Sequence, residues 1–197
     1  LVGSEMCIRD SLEARAKEKN TLLCIGLDPH PADLPKASAE AIKDFCLQLI
    51  EATAEYAAAF KPNSAFFEAF GWQGYRALEE VIAAIPQGPL VILDAKRGDI
   101  ASTAEAYARA AFDVLGADAI TLNPYLGYDA LKPFLQDPQK GAFLLCKTSN
   151  PGAKDLQDLM VKTGPAQLGL PDEAPLYEAV AHLAKTWPVS YTHLRAH

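Results

Sequence analysis

Residues 89–103 read PLVILDAKRGDIAST, a continuous apolar run followed at once by four charged residues. The apolar run is typical of a parallel strand that is buried on both faces. The charges that follow are Asp94, Lys96, Arg97 and Asp99. Charged side chains are rarely buried unless they are paired. The stretch therefore predicts a buried strand whose carboxyl end either emerges into solvent or carries charges that act together.

The same order, a strand pattern followed by a helix pattern, occurs five times between residues 21 and 187. Among the helices, residues 102–116 open with a predicted capping box from Ser102 to Glu105 and end at Gly116. The helix over 71–86 has a predicted apolar stripe of Trp72, Tyr75, Leu78, Ile82 and Ile85. The predicted strands are 21–29, 58–67, 89–99, 117–125 and 141–152, and the helices are 37–57, 71–86, 102–116, 127–138 and 171–187.

These five βα units predict an α/β protein with a parallel sheet. Strands start about 30 residues apart, so eight units would approach the ~250 residues of a (β/α)8 TIM barrel. A five-stranded doubly wound sheet fits the count equally well. Polar residues end each predicted strand, and a barrel would aim them all at one centre. We therefore predict a TIM barrel with about its first five βα units present. The strand-end residues are Asp28, Lys61, Asn63, Asp94, Lys96, Asn123, Thr148 and Ser149.

The composition of the chain limits which binding partners and which cellular compartment we expect. The net charge of −7 argues against a nucleic acid or an anionic membrane as partner. No apolar run approaches the ~20 residues of a membrane span. The four cysteines are scattered without metal-site spacing, which predicts a reducing, cytoplasmic location.

The two ends of the chain depart from the βα pattern. Residues 1–10 and 189–197 resemble translated adapter sequence, so we expect them to be non-native. The expected domain is residues 11–188, part of a barrel from a longer protein.

The charges after the third strand form a possible array. Side chains alternate along a strand, so Asp94 and Lys96 share a face and Arg97 points elsewhere. Lys61 ends the neighbouring strand, and Asp99 lies just beyond the third. In a Lys–Asp–Lys–Asp array, the ammonium groups would lower the pKa of each acid. By itself an Asp-x-Lys at a strand end is usually a surface ion pair. The hypothesis that these charges form a functional array therefore depends on the polar residues at the other strand ends.

At the level of motifs, residues 93–108, LDAKRGDIASTAEAYA, resemble the signature of the orotidine 5′-phosphate decarboxylase family. Four further blocks resemble its longer bacterial branch, in chain order: 24–35, 60–71, 123–135 and 144–159. The resemblance implies a TIM barrel that converts orotidine 5′-monophosphate (OMP) to UMP and CO2 without a cofactor or metal, as a homodimer.

The resemblance also implies a role for each matching residue. Lys96 would protonate C6 of the pyrimidine, Asp94 would lie beside the substrate carboxylate, and Lys61 would complete the charge array. Asp99 and Thr103 would reach the site of the partner subunit. Asp28 would bind the ribose and Ser149 the pyrimidine.

One family feature has no match here. The phosphate-binding segment with its arginine belongs to strands seven and eight, so we expect those residues beyond the chain and expect this chain alone to be inactive. Two alternatives remain. One is a Mg2+-dependent sugar-phosphate decarboxylase or aldolase of the same superfamily, although Lys61 stands where those relatives place an acid. The other is a non-catalytic barrel fragment.

Overall fold

The parallel sheet dominates the computed structural model, which describes residues 8–34, 36–163, 171–187 and 194–196. Six strands pair in parallel, in their order along the chain, and a two-stranded antiparallel pair lies apart from them. A doubly wound sheet reverses its strand order at a switch point, whereas sequential order is that of a TIM barrel. The predicted fold class is confirmed. The sheet contains β1 (Cys24–Leu27), β2 (Ala59–Pro62), β3 (Leu90–Arg97), β4 (Ala119–Leu122), β5 (Gly141–Leu144) and β8 (Leu194–Ala196), and the pair contains β6 (Met160–Lys162) and β7 (Glu173–Pro175).

The five predicted helices are present with corrected boundaries, but residues 173–175, predicted to begin the last helix, form β7 instead. The α-helices are α1 (Ile8–Glu18), α2 (Ala39–Thr53), α3 (Ser64–Glu68), α4 (Gly71–Ala83), α5 (Ala101–Arg109), α6 (Tyr128–Leu131) and α7 (Leu176–Thr186). Helix α1, before the first strand, was not predicted. A π-helical turn, Ala110–Val114, extends α5, and a 3-10 turn, Lys132–Leu135, extends α6.

Two local predictions are wrong at helix starts. The capping box is absent because α5 begins at Ala101 with Ile100 in the cap position, which places Ser102 inside the first turn. The second predicted strand ends early, since the Asn63 side chain accepts a hydrogen bond from the Ala65 amide (3.2 Å) and so starts α3.

The predicted stripe of α4 is also partly wrong. Trp72 and Tyr75 are 69% and 47% exposed. The helix turns its small residues inward instead, and a β-carbon on Gly74 would lie only 1.8 Å from the Phe67 carbonyl oxygen. This close approach of α4 to α3 decides which face is buried: Gly74, Ala77, Leu78, Val81 and Ile82.

The alternation of side chains gives the sheet two apolar faces. One face, which includes Phe60, Leu93 and Ile120, packs in the large core beneath the helices. The other face carries a small cluster of Ala59, Ile92 and Ala119. The next residues outward on this second face, two positions along each strand, are Lys61, Asp94 and Thr121. The polar site is therefore built on the inner face, one layer above an apolar floor.

Helix α1 lies against the amino end of the sheet, where Leu12 packs on the small cluster of Ala59, Ile92 and Ala119. Arg15 anchors the helix through hydrogen bonds to the carbonyl oxygens of Ala54 and Ala57 (3.1 and 3.2 Å).

The two terminal segments predicted to be non-native fall partly within the described chain. Residues 1–7, 188–193 and 197 lie outside the described residues, whereas residues 8–10 begin α1 and β8 pairs with β5. The domain limits 11–188 stay a prediction. Within the described part of the chain, no helix is both long enough and apolar enough to cross a membrane.

Candidate active site

A carboxylate between two ammonium groups forms the centre of the site. Asp94 Oδ2 lies 3.3 Å from Lys61 Nζ, and Asp94 Oδ1 lies 2.5 Å from Lys96 Nζ. Asp94 is only 9% exposed, whereas the Lys96 side chain is about half exposed (49%). The arrangement buries the acid and leaves one of its two cations facing open space.

The ionisation of Asp94 reflects this setting. Burial raises the pKa of the Asp94 carboxyl, but hydrogen bonds from Lys96 and Thr121 and the charges of both lysines outweigh burial. The pKa of Asp94 therefore lies below its usual value, and the group is a carboxylate at neutral pH. One carboxylate and two ammonium groups give the array a net charge of one positive.

Sequence reasoning missed Thr121, although it belongs to the site. Its Oγ1 donates to Asp94 Oδ1 (2.8 Å), and the residue is 3% exposed. The only signal in the sequence is a hydroxyl within the otherwise apolar strand Ala119–Leu122. Threonine is common in strands, so that signal is weak without the register of β3 against β4.

Arg97 points away from the array, as predicted. Its guanidinium pairs with Glu68 of α3 and lies 5.0 Å from the ring centroid of Tyr107 on α5. Tyr75 of α4 donates a hydrogen bond to the same glutamate (3.2 Å). Arg97 is thus tied directly to α3 and α5, and through Glu68 to α4.

The remaining predicted site residues follow the strand ends. Asp28 is exposed just after β1, and its carboxylate lies against Gly26, where a β-carbon would be 2.5 Å from Asp28 Oδ2. Ser149 is exposed in the loop after β5, and Thr103 is exposed in the first turn of α5.

Asp99 lies apart from the lysines within one chain. Its Oδ1 accepts a hydrogen bond from the Ile100 amide (2.8 Å). Among the ion pairs of the described residues, none joins Asp99 to Lys61 or Lys96. One chain therefore brings three members of the predicted array together, and the roles given to Asp28, Asp99, Thr103 and Ser149 stay predictions.

The loop that carries Ser149 has its own support, which sequence reasoning also missed. The side chain of Gln157 accepts a hydrogen bond from the Thr148 amide and donates one to Thr148 Oγ1, each 2.8 Å long. Thr148 Oγ1 in turn donates to Asn150 Oδ1 (2.7 Å). These bonds fix the residues on both sides of Ser149.

Metal ligation is a separate question. The described ranges contain no group of three or more His, Cys, Asp or Glu side chains placed to hold a metal ion. The two lysines of the array present ammonium groups, which donate hydrogen bonds and carry positive charge. They suit a substrate oxygen or a carbanion, and they would repel a metal cation.

The sequential parallel sheet and the lysine–carboxylate array at its carboxyl edge define a TIM-barrel protein with a charged site at the usual end of the barrel. The chain belongs to the orotidine 5′-phosphate decarboxylase / HUMPS family, whose sequence model matches residues 21–170. The resemblance seen in the sequence motifs is thereby confirmed.

Curated relatives support the same assignment. An orotidine 5′-phosphate decarboxylase of Roseiflexus sp. (strain RS-1) is 55% identical over 183 residues, which cover 91% of this chain and 64% of the relative. That of Herpetosiphon aurantiacus is 51% identical over 178 residues, 88% of this chain and 63% of the relative. The chain thus spans less than two thirds of the length of these relatives.

Solved structures agree in fold. The OMP decarboxylase of Leishmania donovani has a TM-score of 0.77 and 53% identity, over 89% of this chain and 64% of that one. The UMP synthase of the same organism has a TM-score of 0.82 and 50% identity, over 96% of this chain and 39% of that one.

Proposed function

We propose that the protein decarboxylates orotidine 5′-monophosphate to UMP in pyrimidine biosynthesis, without a cofactor. The observation that carries the proposal is the buried Asp94 carboxylate held between the ammonium groups of Lys61 and Lys96. The family assignment and the names of the relatives support the choice of substrate.

The reaction breaks the bond between C6 of the pyrimidine and its carboxylate carbon. CO2 leaves, and the electron pair of that bond stays on C6. Lys96 then gives a proton from its ammonium group to C6, and solvent later reprotonates the amine. Because the positive charges are fixed before reaction, they stabilise the carbanion without reorganising.

Asp94 has a different part in this scheme. Its short contact with Lys96 orients the proton donor, and its negative charge lies where the substrate carboxylate would enter. Repulsion between the two carboxylates would be relieved as CO2 leaves, a form of ground-state destabilisation. Lys61 offsets part of the charge of Asp94 from the opposite side.

The partner predictions extend this proposal. Asp28 would bind the ribose and Ser149 the pyrimidine, while Asp99 and Thr103 would enter the site of the second subunit in a homodimer. Among the described residues Asp99 forms no ion pair with Lys61 or Lys96, which supports a role for it across an interface. Among the described residues, Cys24, Cys46 and Cys146 form no disulfide bond, which supports a cytoplasmic location.

The test is ultraviolet-monitored loss of OMP by the full-length gene product that contains this chain, with and without EDTA. We expect turnover that EDTA does not change, because Lys61 occupies the place of a metal-binding acid. Turnover of a sugar phosphate that requires Mg2+, with none of OMP, would favour the alternative enzyme. No turnover of either substrate by a folded protein would favour a non-catalytic role.

A further inference from the structure

Strand β3 contains an irregularity at the site itself. Leu93 pairs with Ile120 of β4, and Arg97 pairs with Leu122. Three residues of β3, Asp94 to Lys96, therefore lie opposite the single residue Thr121. A bulge of this kind bends its strand and separates its amides from the carbonyl ladder. Amides that leave the ladder in this way need another hydrogen-bond partner.

One hydroxyl group supplies that partner. Thr121 Oγ1 accepts hydrogen bonds from the amides of Ala95 (3.0 Å) and Lys96 (2.9 Å). The same oxygen donates its proton to Asp94 Oδ1 (2.8 Å). A hydroxyl has one donor and two acceptor positions, so these three bonds use its full capacity.

The backbone conformation of Lys96 explains why the hydrogen bonds with Thr121 are needed. Its φ is +50°, in the left-handed region that residues with a β-carbon rarely adopt. Strained conformations persist only where the surroundings hold them, and they cluster at functional sites. Regular alternation alone would put Asp94 and Lys96 on one face. Here the strand is bulged, Lys96 has a positive φ, and Lys96 Nζ lies 2.5 Å from Asp94 Oδ1.

We propose that Thr121 is a positioning residue for the decarboxylation. It holds the Asp94 carboxylate and the backbone of Lys96 in one unit, so that the proton donor is fixed before substrate binds. The inference rests on the proposed function for its chemistry, but the hydrogen bonds that carry it are independent of any substrate. Thr121 is placed beside Asp94, and it acts on the reaction through Asp94 and Lys96.

The experiment compares Thr121→Val with Thr121→Ser in the full-length gene product. Valine keeps the shape and removes the hydroxyl, whereas serine keeps the hydroxyl. We expect Thr121→Val to lower kcat by about 10- to 100-fold, the size of effect expected when a buried hydrogen-bond partner is lost, with a smaller change in KM. Thr121→Ser should retain kcat within about threefold, since the same hydrogen bonds remain possible.

Thr53→Val is the matched control. The Thr53 hydroxyl donates to the Leu49 carbonyl within α2 (2.6 Å), remote from the array, so its loss should leave turnover unchanged. Equal kcat for Thr121→Val and wild type, or equal loss in the valine and serine variants, would overturn the proposal.

Amide hydrogen exchange of the wild-type protein gives a second measurement that needs neither a variant nor a substrate. The amides of Ala95 and Lys96 should be protected, and rapid exchange at both in the folded protein would also overturn the proposal. Failure of the wild-type protein to consume OMP would count against the proposed function instead, so the two hypotheses fail separately.

Discussion

The ammonium group of Lys96 lies 2.5 Å from the carboxylate of Asp94, two residues earlier on the same strand. Lys61, from the adjacent strand, approaches the other carboxylate oxygen. Asp94 is thus bound on both oxygens, while Lys96 still faces open space. In the proposed reaction, Lys96 could therefore donate its proton to a ligand while its contact with Asp94 is kept.

Replacing Lys96 by alanine should remove the proposed proton donor and, with it, one of the two positive charges beside Asp94. We expect kcat for OMP to fall by about 10²- to 10⁴-fold, the usual contribution of general acid catalysis, or more because charge stabilisation is lost as well. Steady-state kinetics of the full-length protein measures the effect. Lys17→Ala, in an exposed position on α1, is the control and should leave kcat unchanged. Full activity of Lys96→Ala would rule out the assigned role.

The low pKa of Asp94 predicts a pH-dependent contribution to stability. Since the folded state favours the ionised form, this contribution is complete above the ordinary carboxyl pKa of about 3.9 and is lost as pH falls through the lower folded value. Urea unfolding of wild type and Asp94→Asn should therefore show a difference in unfolding free energy that is constant near neutral pH. That difference should shrink in acid.

The control for this experiment is Asp113→Asn, which changes an exposed carboxylate on the turn after α5. Its unfolding free energy at neutral pH should match that of wild type within about 0.5 kcal/mol. If the difference in unfolding free energy between wild type and Asp94→Asn stayed constant down to the pH of acid unfolding, ionised Asp94 would not stabilise the fold.

Much of the site follows from strand periodicity. Residues two apart on one strand share a face, and the carboxyl ends of parallel strands meet at one edge, so Lys61, Asp94 and Lys96 could be grouped from sequence. Thr121 could not, because its importance depends on a bulge in the strand beside it. No local pattern in residues 119–122 encodes that register.

The helices show the same limit. The stripe of α4 was predicted from the helical spacing of its apolar residues, a set that includes Trp72 and Tyr75. Burial instead follows the close contact of Gly74 with α3, a tertiary constraint that overrides local hydrophobicity. The turn between β2 and α3 was similarly hidden, since Asn63 acts as a cap only once the strand has ended at Pro62.

If Asp99 acts across a dimer interface, two inactive variants should complement each other. In a hybrid of Lys96→Ala and Asp99→Ala subunits, one of the two sites contains both an intact Lys96 and an intact Asp99. After random exchange in an equal mixture, about half of the dimers are hybrids, and one of the two sites in each hybrid is complete. About a quarter of wild-type activity should therefore return. Kinetics of the mixture, with subunit exchange verified by mass spectrometry, measures the recovery. An inactive mixture that has exchanged its subunits would argue that Asp99 serves its own chain.

The segment between Lys96 and Asp99 depends on a close backbone contact at Gly98. A β-carbon at this position would lie 2.5 Å from the Asn123 carbonyl oxygen, a backbone atom that cannot rotate away. The Asn123 amide also donates to the Arg97 carbonyl (2.7 Å), which holds the two loops together. Gly98→Ala should therefore destabilise the protein by about 1–3 kcal/mol, the usual cost of overpacking.

Gly152→Ala is the matched control for this substitution. Its β-carbon would meet its nearest neighbour at 3.5 Å, an ordinary contact, and the position is exposed. Its stability should equal wild type or exceed it by up to about 1 kcal/mol, because alanine restricts the unfolded chain. Urea unfolding of the three proteins measures both effects, and OMP kinetics should show a lower kcat only for Gly98→Ala, whose loop carries Asp99. Equal stability and equal kcat in the two variants would mean that the backbone can shift to accommodate a β-carbon at Gly98. The close contact with Asn123 would then not hold Asp99 in place.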